Sequence, residues 1–153
     1  MKRLICVLVV LVSPLILVAG DNDVRKELKA LEGKWKAVAL EAAGKSFPKD
    51  EIPDFTFTIA ADGKGTARSP KGEHHTTITV DPKKNPKTID NFHDDGDEKG
   101  KKQYGIYKLE GDKFTVCITR AGSAESDRPK EFTTKDSKNV LFVFERIKDD
   151  KKP

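Results

Sequence analysis

The chain has 153 residues, 35% of them charged, and sets 29 Lys and Arg against 25 Asp and Glu for a formal charge of +4. That length suits one domain built round one core. The basic residues alternate with acidic ones instead of forming a stripe, which argues against a nucleic-acid-binding surface.

The first twenty residues, MKRLICVLVVLVSPLILVAG, differ in kind from all that follows. Lys2 and Arg3 precede an apolar run over 4–19, and Val18 and Gly20 are small enough for positions −3 and −1 of a cleavage site, so 1–20 reads as a secretory signal peptide. An uncleaved anchor is the rival reading, but the run is interrupted by Pro14 and falls short of the roughly 20 apolar residues a spanning helix needs. Cleavage after Gly20 leaves 27 basic against 25 acidic groups, a charge of +2, and no membrane span. It also removes Cys6. Cys117 is then the lone cysteine, so no internal disulfide forms and stability must come from packing. Inside an apolar strand, Cys117 reads as a small buried hydrophobe rather than a reactive thiol.

Residues 21–32, DNDVRKELKALE, place Val24, Leu28 and Leu31 at helical spacing with Asp21 and Asp23 ahead of the first turn, which predicts one short helix over 24–31. After Gly33 the period shifts to two. Strands are expected at 34–41, 54–60, 64–69, 73–80, 87–93, 103–109, 113–119 and 140–147, separated by turn sequences such as ADGKG, DPKKNP and EGDK. In DFTFTIA, Phe55, Phe57 and Ile59 face one side and Thr56 and Thr58 the other; in KFTVCITR, Phe114, Val116 and Ile118 oppose Thr115, Cys117 and Thr119. The last strand differs, because Val140 to Phe144 are continuously apolar, and it is expected to be covered on both faces, outwardly by the N-terminal helix. Residues 120–139 are the longest irregular connection, with Phe132 expected to dock against the strands. The Lys/Asp tail 149–153 is expected to be disordered, leaving 21–148 as the folded domain.

Eight short strands with hairpin-length links and no interleaved helices predict an all-β fold. Closure into an antiparallel up-and-down barrel removes the exposed edges. The first and last strands of such a barrel pair antiparallel, which sets Trp35, at the start of strand one, beside Arg146, at the end of strand eight. A guanidinium on the indole face contributes about 0.5–2 kcal/mol and closes that end.

A short helix, Gly-x-Trp opening the first strand and a basic residue late in the last strand resemble the lipocalin hallmark, carried here by Gly33, Trp35 and Arg146. Over about 26–147, the order LEGKWKAVALEAAGKSFP, VDPKKNPKTID, GIYKLEGDKFTVCITR and RPKEF resembles a lipocalin-like domain family of unknown function, abundant in planctomycete bacteria. The resemblance implies an eight-stranded antiparallel barrel with a short N-terminal helix and an export route. It carries no catalytic or ligand residues. GEHHTTITV departs from it, since the family more often has a plain Gly-Thr-Tyr-like strand start there, so His74 and His75 belong to this chain alone.

His74 and His75 are adjacent in a strand and point to opposite faces, so they do not chelate one ion together. His93, Asp94, Asp95 and Asp97 are the better metal candidates, although HDDGDEKG lacks the ligand spacing of an EF-hand loop, and a solvated hairpin is the preferred reading. No G-x-S-x-G elbow or Walker loop is present, and nothing singles out Glu41, Asp90 or Glu131 as paired carboxylates. The expectation is a non-catalytic, monomeric barrel without a cofactor, periplasmic or extracellular, that binds a small apolar ligand. The candidate lining is Trp35, Ala37, Ala39, Phe55, Phe57, Val116, Phe142 and Phe144. The alternative is an envelope protein-interaction or structural module. Strands of about seven residues and many phenylalanines suggest a small or absent cavity.

Overall fold

A computed structural model describes residues 19–148. The expected signal peptide, apart from its last two residues, and the tail 149–153 lie outside the described residues. Helix α1 (Ala19–Leu31) leads into nine strands: β1 (Gly33–Ala42), β2 (Lys45–Ser46), β3 (Thr56–Ile59), β4 (Lys64–Ser69), β5 (Gly72–Asp81), β6 (Lys87–His93), β7 (Lys102–Glu110), β8 (Lys113–Ile118) and β9 (Val140–Arg146). All pairings are antiparallel. β1 and β3 to β9 run up and down in sequence order, and β9 closes back on β1. The result is a closed eight-stranded, lipocalin-like barrel, with β2 a two-residue addition to β1. Each strand expected from the alternation is there, within a few residues at its ends.

Directly opposed residues in antiparallel strands share a face, so the ladders define the interior. From Trp35, opposite Phe57, the inward set runs through Ala67, His74 and Thr76 to Ile78, Asn91 and Gln103. It continues through Tyr107, Val116 and Phe142 back to β1. One irregularity breaks the pattern. The β1–β9 register shifts between Ala37 and Ala39, so Leu40 and Ala42 oppose the inward Phe142 and Val140, while Ala39 opposes Val143 on the outer face. A bulge reverses every side chain beyond it.

α1 begins five residues earlier than the periodicity predicts, placing Asp21 and Asp23 inside the helix, where Asp21 pairs with Arg25 at 2.9 Å. The helix plugs one barrel end instead of covering β9. Leu31 and Leu28 are buried (0% and 8% exposed), each contributing about 1.5–3 kcal/mol. Glu27 accepts from the Tyr107 hydroxyl (3.0 Å) and pairs with Lys87 (2.6 Å). Burial, then the Glu27 charge, drives the Tyr107 phenol well above its ordinary range.

The long connection to β9 packs instead on the outer side of β1 and β6 to β8, where its residues pair with groups those strands leave open. Cys117 is fully buried, with its Sγ 3.6 Å from the Thr133 carbonyl. Thr134 donates to Glu41 (2.6 Å) and accepts from the Gly44 N–H (2.9 Å). Phe132 docks against the barrel beneath Lys108, as expected. Arg128 pairs with Asp90 at 2.7 Å, lies 5.2 Å from the Tyr104 ring centroid and donates to the Gly105 carbonyl. Burial pushes the Cys117 thiol up to about 11, so it stays protonated near neutrality and behaves as a packing group.

Candidate functional site

The starts of β1, β6 and β8 and the ends of β5, β7 and β9 meet at the α1 end. This end is sealed. The Trp35 indole is fully buried, donates to the Leu31 carbonyl (2.9 Å) and packs on Phe114 at 5.5 Å. The Arg146 guanidinium lies 4.1 Å from its ring centroid and donates to the carbonyls of Ala30 and Glu32 at the helix C-terminus. Gly33 makes this possible. Its φ of +136° disfavours a side chain, and a Cβ there would stand 2.6 Å from Arg146 Nη1.

The opposite end opens into a cavity of about 450 Å³. Two chemistries divide its wall. Phe55 and Phe57 on one flank and Phe142 and Phe144 on the other meet at centroid distances of 5.5–6.5 Å, with Phe114, Val116 and Ile118 beside them. Facing these is a polar band from β5, β6 and β7, comprising Thr76, Asn91, His93 and Gln103, above a floor of Ile78 and Ile89. Space survives because Gly65, Ala67 and Thr76 occupy adjacent inward positions. A Cβ on Gly65 would meet Thr76 Oγ1 at 2.6 Å and Phe57 at 2.9 Å.

One chain of hydrogen bonds orients the band. Gln103 Nε2 donates to the Thr119 carbonyl (3.0 Å), which turns Gln103 Oε1 inward. That oxygen accepts from Asn91 Nδ2 (3.0 Å) and stands 2.9 Å from His93 Nε2, which must therefore carry the proton. In the neutral tautomer this leaves, Nδ1 is an acceptor. Asn91 Oδ1 and Thr76 Oγ1 are buried without a partner.

The β6–β7 loop forms part of the rim, contributing Asp95, Asp97 and Glu98, with Lys71 and His74 across from it. The loop is tied to β5. The Asp94 N–H donates to the His75 carbonyl (2.9 Å), the His75 N–H to Asp95 Oδ1 (2.7 Å), and the His75 ring meets Asp95 Oδ2 at 2.6 Å. Gly96 lies directly over His74, where a Cβ would fall 2.5 Å from Nδ1. The Asp95 hydrogen bond raises the His75 pKa, and the His75 backbone N–H lowers that of Asp95. The raised histidine supports the folded loop below about pH 6.5 and ceases to as pH rises through its folded-state pKa. The lowered carboxylate supports it above about pH 4 and ceases to as pH falls through its own. The tie is thus complete between the two, and an NMR titration should find the His75 pKa raised in the wild type and lower in Asp95→Asn.

Of the lining expected from the sequence, Phe55, Phe57, Val116, Phe142 and Phe144 reach the cavity, while Trp35, Ala37 and Ala39 do not. Trp35 belongs to the sealed end, Ala37 is buried beside the bulge, and Ala39 is turned outward by it. The expectation of a small or absent cavity is also overturned, since β1 and β5 are ten residues long and small residues offset the phenylalanines. The metal cluster fails too. Asp94 is held by Thr77 (2.8 Å), Asp95 by His75 and His93 by Gln103, and Asp97 stands apart on the rim. Among the described residues no three His, Cys, Asp or Glu side chains converge as a metal site. Glu41 and Asp90 bind the outer connection, away from the cavity. The polar band was not foreseen, although the inward phase of Thr76 and Asn91 follows from the alternation of β5 and β6. His74 and His75 do point to opposite faces, one into the mouth and one to the loop.

Compared with known protein families the chain matches none, and no curated protein matches it.

Proposed function

We propose that this chain is an exported, non-catalytic carrier or sensor that holds one small, largely apolar molecule in its barrel. The observation that carries the reading is the cavity of about 450 Å³, walled by five phenylalanines and open at one end only. This volume falls within the range of about 300–1,000 Å³ that small-molecule sites occupy. Export rests on the signal-like residues 1–20, and membership of the planctomycete lipocalin-like family rests on the sequence resemblance. The non-catalytic assignment rests on the lining, which sets an aromatic wall against two amides, a hydroxyl and His93, with charged residues at the rim, and contains no serine or cysteine nucleophile beside a base. An interaction module finds little support, because Phe47 is the only large hydrophobic residue exposed among the described residues.

Fluorescence titration with the neutral dye N-phenyl-1-naphthylamine tests the proposal. A saturable blue-shifted enhancement with one dye per chain is expected. Absence of any saturable binding would overturn the carrier reading.

A further inference from the structure

We propose that the molecule held in this cavity is an organic amine: a compact apolar body bearing a protonated nitrogen. The inference rests on the carrier reading and deepens it by assigning the ligand's polar group.

The polar band leaves two buried oxygens without a hydrogen-bond partner. Thr119 fixes the Gln103 amide, and Gln103 Oε1 draws in both Asn91 Nδ2 and the His93 Nε2 proton. One N–H of each is thereby engaged, and Asn91 keeps its second amide hydrogen. The other heavy atoms, Asn91 Oδ1 and, with the imidazole neutral, His93 Nδ1, accept. Thr76 is 2% exposed, lines the cavity and has an unpartnered hydroxyl, and Asn91 Oδ1 is likewise buried without a partner. A buried polar atom left unpaired costs about 1–3 kcal/mol, which a ligand donating to it recovers. Thr76 and His93 are cross-strand neighbours, and Asn91 is two residues before His93 on the same face, so the three residues border one patch.

Charge points the same way. The rim sets Asp95, Asp97 and Glu98 against Lys71 alone. Asp95 is tied to His75 and Glu98 to Lys101 (2.7 Å), which lessens but does not reverse the acidic bias. A carboxylate ligand would bring its charge past these groups to a patch that offers no charged donor and whose unpartnered atoms are Asn91 Oδ1 and the Thr76 hydroxyl. An alcohol supplies one donor, whereas an ammonium supplies three and a favourable charge. Opposite the patch, the phenylalanine faces take the apolar body, and their quadrupoles also favour a cation.

Displacement of N-phenyl-1-naphthylamine by decylamine, decanol and decanoate at about pH 7 separates the possibilities. Decylamine should displace the dye at roughly tenfold lower concentration than either partner, the ratio expected for one charge-assisted hydrogen bond. In Asn91→Leu and in the isosteric Thr76→Val, the amine-to-decanoate ratio should fall to about threefold or less; the ratio cancels any general change in dye affinity. Displacement by decanoate or decanol as readily as by decylamine overturns the amine assignment while leaving the carrier intact. So does a preference that survives both substitutions. Failure of the dye itself to bind overturns the carrier reading, and this assignment with it.

Discussion

Arg146→Ala should lower the free energy of unfolding by about 2–4 kcal/mol, whereas Lys148→Ala, two residues away, should change it by less than about 0.5 kcal/mol. Both side chains reach Asp112, at 3.3 and 3.0 Å, so loss of that ion pair alone would affect them alike. Arg146 does more. Its guanidinium covers the Trp35 face and its two terminal nitrogens donate to the carbonyls of Ala30 and Glu32, which the end of α1 leaves without helical partners. Removing it uncovers the indole and two helix-end acceptors at once. Lys148 is largely exposed (78%) and holds only the ion pair. Arg146→Lys should recover less than half of the loss, because an ammonium keeps the charge but lacks the planar fork. Urea denaturation of the three variants measures the effect; an Arg146→Ala value matching that of Lys148→Ala would remove the guanidinium from any structural role.

Filling the cavity should abolish binding without unfolding the barrel. Ala67 on β4 faces inward between Phe57 and His74, with open volume in front of it. In Ala67→Trp the indole takes the space a ligand would use. Dye affinity should fall by at least tenfold, equivalent to about 1.4 kcal/mol. Overpacking a filled core costs about 1–3 kcal/mol, but here the added atoms enter a void, so stability should stay within about 1 kcal/mol of wild type. Undiminished dye binding to a folded Ala67→Trp protein would place the dye elsewhere. The variant also separates the two ends of the barrel, since Ala67 lies toward the mouth and Arg146 seals the base.

The strands were legible because a period of two is a local property. Phe55, Phe57 and Ile59 against Thr56 and Thr58 assign a face without knowledge of the partner strand. The Trp35–Arg146 contact was legible for a different reason: closing an antiparallel meander of eight strands leaves the start of the first beside the end of the last. Gly33 fits the same argument, and the structure adds that its missing Cβ makes room for the guanidinium.

Alternation tells which side a residue faces, and nothing in it tells how deep the residue lies or whether the phase survives. The shift between Ala37 and Ala39 could not be read from three small apolar residues in a row, and it reversed Ala39. Cavity volume was illegible for a related reason. Counting phenylalanines measures what could fill a barrel, whereas the space left depends on small residues such as Gly65, Ala67 and Thr76 falling next to one another on two adjacent strands. The metal cluster failed similarly, since residues adjacent in HDDGDEKG found partners on β5 and β7 before they could find one another.

The sequence by itself therefore determined the barrel, its helix and the sealing contact of Trp35 with Arg146, because each follows from local periodicity and from the constraint of closure. Only the tertiary structure decided that the barrel is hollow, that α1 plugs its base, and that Thr76, Asn91 and His93 meet as one polar patch opposite an aromatic wall. Those facts depend on register between strands distant in the chain, where shifting by one residue exchanges the inside for the outside.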